Sequence, residues 1–169
     1  MNKKLLGIIG TSLIIVLLII SFVIPNKDKT PEQITMEIVS NATNESQKIK
    51  PEEQKEFIEI NIDDYLNKYN GNEKSIVFVG RLISQDYQIV APILHNLAYK
   101  YNLDIYYLNS DNFTTEDKTK FVESDTFFTE GFGSALFTII GNGKLHDIVD
   151  GITDTEHYIK FLKRNGYIS

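Results

Sequence analysis

The chain of 169 residues contains no cysteine, and that absence excludes more than any residue present. A thiolate is the nucleophile of thiol-disulfide exchange, so this polypeptide alone cannot reduce, oxidise or isomerise disulfides. It has no disulfide framework and no cysteine to carry a lipid. Acidic residues are missing from the first 25 positions. All 23 Asp and Glu lie beyond them, whereas two of the 17 basic residues, Lys3 and Lys4, lie within. The remainder is therefore more acidic than the formal charge of -6 implies. Phosphate binding needs a basic face, so no nucleic-acid partner is expected. Ligand-type spacing is missing among His95, His146 and His157, and no metal or cofactor is expected. No nucleophile-elbow pattern accompanies them. The carboxylates Asp63, Asp64, Asp147 and Asp150 read as solvated loop and strand-end charges.

What is present begins with Leu5 to Ile24, an uncharged apolar run long enough to cross a hydrocarbon core of roughly 30 Å as a helix. Lys3 and Lys4 before it favour an amino terminus kept in the cytoplasm and a carboxy-terminal domain outside the cell membrane. A cleaved signal peptide, which would leave a secreted protein, shares the charged start. Against it, the run is longer than a usual signal core and Phe22-Val23-Ile24-Pro25 offers no small-x-small site. Residues 1–25 are therefore expected to be a single-pass signal-anchor. Residues 26–56 are polar, and Thr30-Pro31-Glu32-Gln33 has the form of a capped helix start. Ile34 and Ile38 give that helix only a thin apolar stripe, so the segment reads as a partly helical solvated spacer rather than a partner-binding helix.

A folded domain is expected over 57–169. Phe57, Ile58 and Ile60 suggest a first strand, and Asn61 caps a helix through Tyr65, Leu66 and Tyr69. The central stretch runs from Lys74 to Pro92. Ile76 to Val79 make a continuous apolar run, as in a strand covered on both faces, and Ser84 then sits at the N-cap of a helix in which Ile89, Val90, Ile93, Leu94 and Leu97 recur at helical spacing. Leu103 to Leu108 form another strand, which makes a right-handed parallel crossover. Thr114 starts a helix, Ala135 to Ile140 is a strand, and Asn142-Gly143 predicts a two-residue hairpin to a partner strand ended by Gly151. Thr153 to Glu156 has capping-box form before a last helix.

The segment resembles the active-site segment of thioredoxin-like proteins, in which a buried strand leads to Cys-x-x-Cys at the start of a helix continuing through Ala-Pro. Ala91-Pro92 matches that pair, which puts Ser84, Gln85, Asp86 and Tyr87 at the Cys-x-x-Cys positions. The likeness extends over residues 57–169 and, with the Gly80-Arg81 approach, is narrowly similar to small exported proteins of Gram-positive bacteria, including bacteriocin transport accessory proteins. It implies an α/β thioredoxin-like three-layer fold, a central mixed sheet with helices on both faces, here with an added N-terminal transmembrane helix. Two departures matter. Phe78 stands where the family has a buried acid, and Ser134-Ala135 stands where it has a cis-proline dipeptide. A non-proline cis bond costs about 2.5–4 kcal/mol, so Ala135 is expected to be trans.

The resemblance further implies a groove for an extended polypeptide, with Tyr87, Phe132 and Ser134 at its mouth. Core packing is the competing role for Phe127, Phe128 and Phe132. The resulting expectation is a membrane-tethered binding or accessory protein without redox activity, acting outside the cytoplasmic membrane on a protein or peptide partner in peptide or bacteriocin export or envelope assembly. Enzymatic activity is not expected. The alternative is a glutathione-handling enzyme using Ser84 at the helix N-terminus; a plain helix cap accounts for the same serine.

Overall fold

The computed structural model of the chain describes residues 29–169. The expected anchor, residues 1–25, lies outside the described residues, and among the described residues no helix is long and apolar enough to cross a membrane.

Five strands form one sheet in the order β1-β3-β2-β4-β5: β1 Ile58–Ile60, β2 Ser75–Gly80, β3 Ile105–Asn109, β4 Ala135–Gly141 and β5 Lys144–Asp150. β3 runs parallel to β1 and β2, whereas β4 is antiparallel to β2 and β5. The helices are α1 Pro31–Ser46, α2 Ile62–Asn70, α3 Gln85–Tyr101, α4 Thr115–Ser124 and α5 Thr155–Arg164. Successive strand residues point to opposite faces, so β2 feeds two cores at once. Ile76 and Phe78 join the cluster beneath α1, α3 and α5, while Val77 and Val79 join the one beneath α2 and α4. That two-sided demand is why Ile76 to Val79 is continuously apolar. The sheet is mixed, with helices on both faces.

Local signals act as their chemistry dictates. Asn61, Thr114 and Thr30 each cap a helix in a reciprocal capping box. Asn142 and Gly143 both take positive φ, 54° and 68°, giving the primed two-residue turn between β4 and β5. The last helix is capped differently from expectation. Asp154, not Thr153, is the N-cap, its Oδ1 accepting from the His157 backbone N–H at 2.7 Å. A carboxylate on the residue next to the helix competes successfully with the hydroxyl one place earlier.

Residues 29–56 also depart from expectation. Their helix exists, and one side of it docks on the domain while the other side is exposed. Ala42 is fully buried in the core cluster under α3, with Val39 and Ile49 packed beside it. Polar contacts extend the attachment. The Glu45 carboxylate accepts from the Thr155 backbone N–H and hydroxyl at the start of α5, and the Lys55 backbone N–H donates to the His95 carbonyl. Packing against the domain therefore reaches back to Val39 and Ala42 on α1, ahead of residue 57.

This docking predicts that Ala42→Asp will cost about 2 kcal/mol or more in stability, because it forces a carboxylate into a site without a partner. Urea unfolding of the full chain measures it. A cost below about 0.5 kcal/mol, the size of an ordinary surface substitution, would show that α1 is not part of the cooperative unit.

Candidate functional site

β2 ends at Gly80, and Arg81 to Ile83 carry the chain into α3. The Ser84 hydroxyl accepts from the Tyr87 backbone N–H at 3.1 Å and donates to the Arg81 carbonyl at 2.9 Å. Both its proton and a lone pair are thus committed to the cap. Gln88 donates to the Leu82 carbonyl, and the Arg81 backbone N–H donates to the Ser134 carbonyl, which ties the turn to the loop before β4. No peptide bond among the described residues is cis, so Ser134-Ala135 is trans as expected.

Behind the cap lies an aromatic block. Phe78 is fully buried, and the Tyr87 ring stacks on it with centroids 5.5 Å apart and planes 17° from parallel. Phe57 meets Phe78 edge-on at 5.5 Å and itself stacks on His95 at 3.7 Å. Tyr107 lies 5.4 Å from Tyr87 and donates its hydroxyl to the Gly80 carbonyl. Burial pushes the Tyr87 and Tyr107 phenols above their ordinary value, so both stay neutral. Gly80 permits the stack to form. A Cβ there would sit 3.1 Å from the Tyr87 ring and 3.0 Å from the Ser134 carbonyl oxygen.

A carboxylate does approach this site, but from β5 instead of β2. The Ser134 hydroxyl donates to Asp86 Oδ2 at 3.0 Å. Asp150, at the end of β5, lies so close to Gly133 that any Cβ on Gly133 would fall 2.3 Å from its Oδ1. Burial pushes the Asp150 carboxyl up to about 6, the Gly133 backbone N–H pulls it down, and the negative charge of Asp86 adds to the rise. Asp150 is therefore not the solvated strand-end charge expected from sequence. Asp147 is also engaged, by Arg164 and Asn165. Asp64 and Asp117 serve as capping-box acceptors and Asp63 pairs with Lys120. The three histidines stand apart, His95 against the Lys55 carbonyl and His146 against the Gly141 carbonyl, with burial lowering the pKa of His157. Among the described residues no three potential ligands gather as a metal site.

The structure thus brings Ser84, Asp86, Tyr87 and Ser134 together, and Gln85 occupies the first helical position beside them. Phe132 does not join Tyr87. It packs on Phe121 and Phe128 in the cluster on the opposite face of the sheet, at centroid distances of 4.9 and 5.9 Å. Phe128 is core, and Phe127 is partly exposed. Sequence reasoning passed over Leu82 and Ile83, which are 43% and 79% exposed on the turn before Ser84. Two apolar residues ahead of a cap were the available signal. Asp150 had none, because its partner loop is contiguous with it only in space.

No family model matches the chain, and no curated protein matches its sequence. Solved structures match its shape. Thioredoxin f2 of Chlamydomonas reinhardtii superposes with a TM-score of 0.52 over 68% of this chain and 100% of its own, at 9% identity. Thioredoxin of Trypanosoma brucei brucei does so with a TM-score of 0.51 over 65% and 90%, at 12% identity. The chain has the thioredoxin-like α/β fold.

Two measurements check this description. Asp150 has a folded pKa of about 6, raised from an ordinary 3.8, so its contribution to stability is complete below about pH 4 and is lost as pH rises through 6. Asp150→Asn removes that loss. Its melting temperature relative to wild type should climb between pH 4 and 7, and a flat difference would show an unburied carboxylate. Separately, Ser84→Cys with Tyr87→Cys should close an intramolecular disulfide under oxidising conditions, read by thiol titration and mass. Free thiols after oxidation would count against the placement of the Cys-x-x-Cys frame.

Proposed function

We propose that the chain is a redox-inactive, membrane-tethered thioredoxin-like binding or accessory protein. It acts outside the cytoplasmic membrane, in the export of peptides or bacteriocins or the assembly of envelope proteins. The observation that carries this reading is the aromatic block of Phe78, Tyr87 and Tyr107 in the place of reactive groups. No thiol is available, the central acid position is an apolar ring, and the Ser84 proton is held by the Arg81 carbonyl. Leu82 and Ile83, exposed beside Arg81 on this turn, offer apolar contact surface without chemistry. The tether rests on the uncharged run Leu5 to Ile24, which follows Lys3 and Lys4.

The rival, a glutathione-handling enzyme built on Ser84, needs a hydroxyl free to meet its substrate. The cap engages that hydroxyl as both donor and acceptor.

The test uses an unfolded, cysteine-free polypeptide as client for the full chain. Leu82→Asp with Ile83→Asp should weaken binding about tenfold, as for the centre of an interface, whereas Ser84→Ala should change it by no more than about twofold. In cells, loss of residues 1–25 should release the protein from the membrane. Glutathione-dependent conjugation by the chain that Ser84→Ala abolishes would overturn the binding-module reading in favour of the enzyme.

A further inference from the structure

The cleft that Phe132 lines lies on the other side of the Arg81 turn from Tyr87. Its volume is about 470 Å³, within the range of ligand pockets. Phe113, Val122 and Phe132 supply its accessible apolar lining over the buried Phe128, and Arg81 and Lys118 its charge. No acidic side chain lines it, although the chain carries 23 acids against 17 bases. The larger cleft nearby, about 620 Å³, has the opposite character, with Glu59, Asp63, Asp64 and Asp117 on its walls.

The two cations are available. Arg81 gives only its Nε to Asp111, at 2.9 Å, and its side chain remains 53% exposed. Its terminal nitrogens keep the planar fork that suits a carboxylate. None of the ion pairs among the described residues involves Lys118. Ser110 adds a hydroxyl, and Gly131, at φ 100°, has open space where a Cβ would be, so a chain can pass close to its backbone.

We infer that this cleft binds the C-terminal residue of an apolar polypeptide, taking its side chain among the phenylalanines and its carboxylate between Arg81 and Lys118. Charge selects this occupant. A run of acidic residues or a nucleic acid would be repelled by the surrounding negative surface, whereas one carboxylate at the end of an apolar chain meets Lys118 and the terminal nitrogens of Arg81, whose Nε alone is taken by Asp111. Leu82 and Ile83, next to Arg81, are exposed apolar residues for the positions preceding the terminus. The inference rests on the binding-module reading and specifies its partner's end group.

The probe is a fluorescein-labelled Gly-Ser-Gly-Leu-Phe peptide, made with a free C-terminal carboxylate and as the amide, titrated by anisotropy against the full chain in mild detergent. The carboxylate form should bind saturably and the amide about tenfold more weakly, the loss expected when one charge-assisted contact pair goes. Added salt should narrow that difference. Lys118→Glu, on the exposed face of α4, should weaken the carboxylate form about tenfold and spare the amide; Arg81→Ala should act in the same direction. Equal binding of the two peptides, no saturable binding of the carboxylate form, or indifference to Lys118→Glu would each overturn the inference. So would displacement of the peptide by an equal concentration of 3-phenylpropionate, which would assign the cleft to small free acids. Peptide binding that ignores the carboxylate but falls with Leu82→Asp and Ile83→Asp would leave the binding-module reading standing and remove only the end-group specificity.

Discussion

The ring of Phe78 is the constraint on which the rest of the site depends. Buried at the centre of β2, between Phe57, Tyr87 and Tyr107, it requires an apolar surrounding where the thioredoxin likeness would place an acid. A carboxylate at that point needs a solvated or charged neighbour; a phenyl ring needs its faces covered. Tyr87 supplies one cover from the first turn of α3, and Gly80 leaves room for it. The residues at the mouth of the domain are thus set by packing. Ser84 is left with the task of ending a helix, which its hydroxyl meets completely.

The loop before β4 is positioned by polar contacts instead. With no proline to shape it, it is held by the Arg81 backbone N–H on the Ser134 carbonyl, by Ser134 on Asp86, and by Asp150 against Gly133. Two carboxylates therefore frame one loop. Burial of Asp150 and the charge of Asp86 favour its protonated form, while the Gly133 backbone N–H favours the charged one, so the stability contributed at this rim depends on acidity below neutrality. The aromatic side has no such dependence, since Tyr87 and Tyr107 stay neutral.

Much of this was legible in the residues. The double-faced apolar run of β2, the caps at Thr30, Asn61, Ser84 and Thr114, and the Asn142-Gly143 turn each encode their local structure through short-range chemistry, and local chemistry survives tertiary context. The failures share a different cause. Ala42 has a methyl group too small to strengthen the thin stripe of Ile34 and Ile38, so the docking of α1 left only a weak periodic trace. Tyr87, in the first turn of α3, and Phe132, on the loop before β4, pack on opposite faces of the sheet, a distinction that depends on side-chain direction in that irregular loop. Asp150 reads as a charged strand end until the loop that covers it is in place.

The docking of α1 has a mechanical meaning. A polypeptide leash would let the domain swing and would dissipate any displacement of its amino-terminal end. Here the helix that begins at Pro31 is packed on α3 and latched to α5 through Glu45 and Thr155. Displacement of that helix would be opposed by its contacts with both α3 and α5. The contact of α1 with the domain is narrow, with Ala42 as its single fully buried residue.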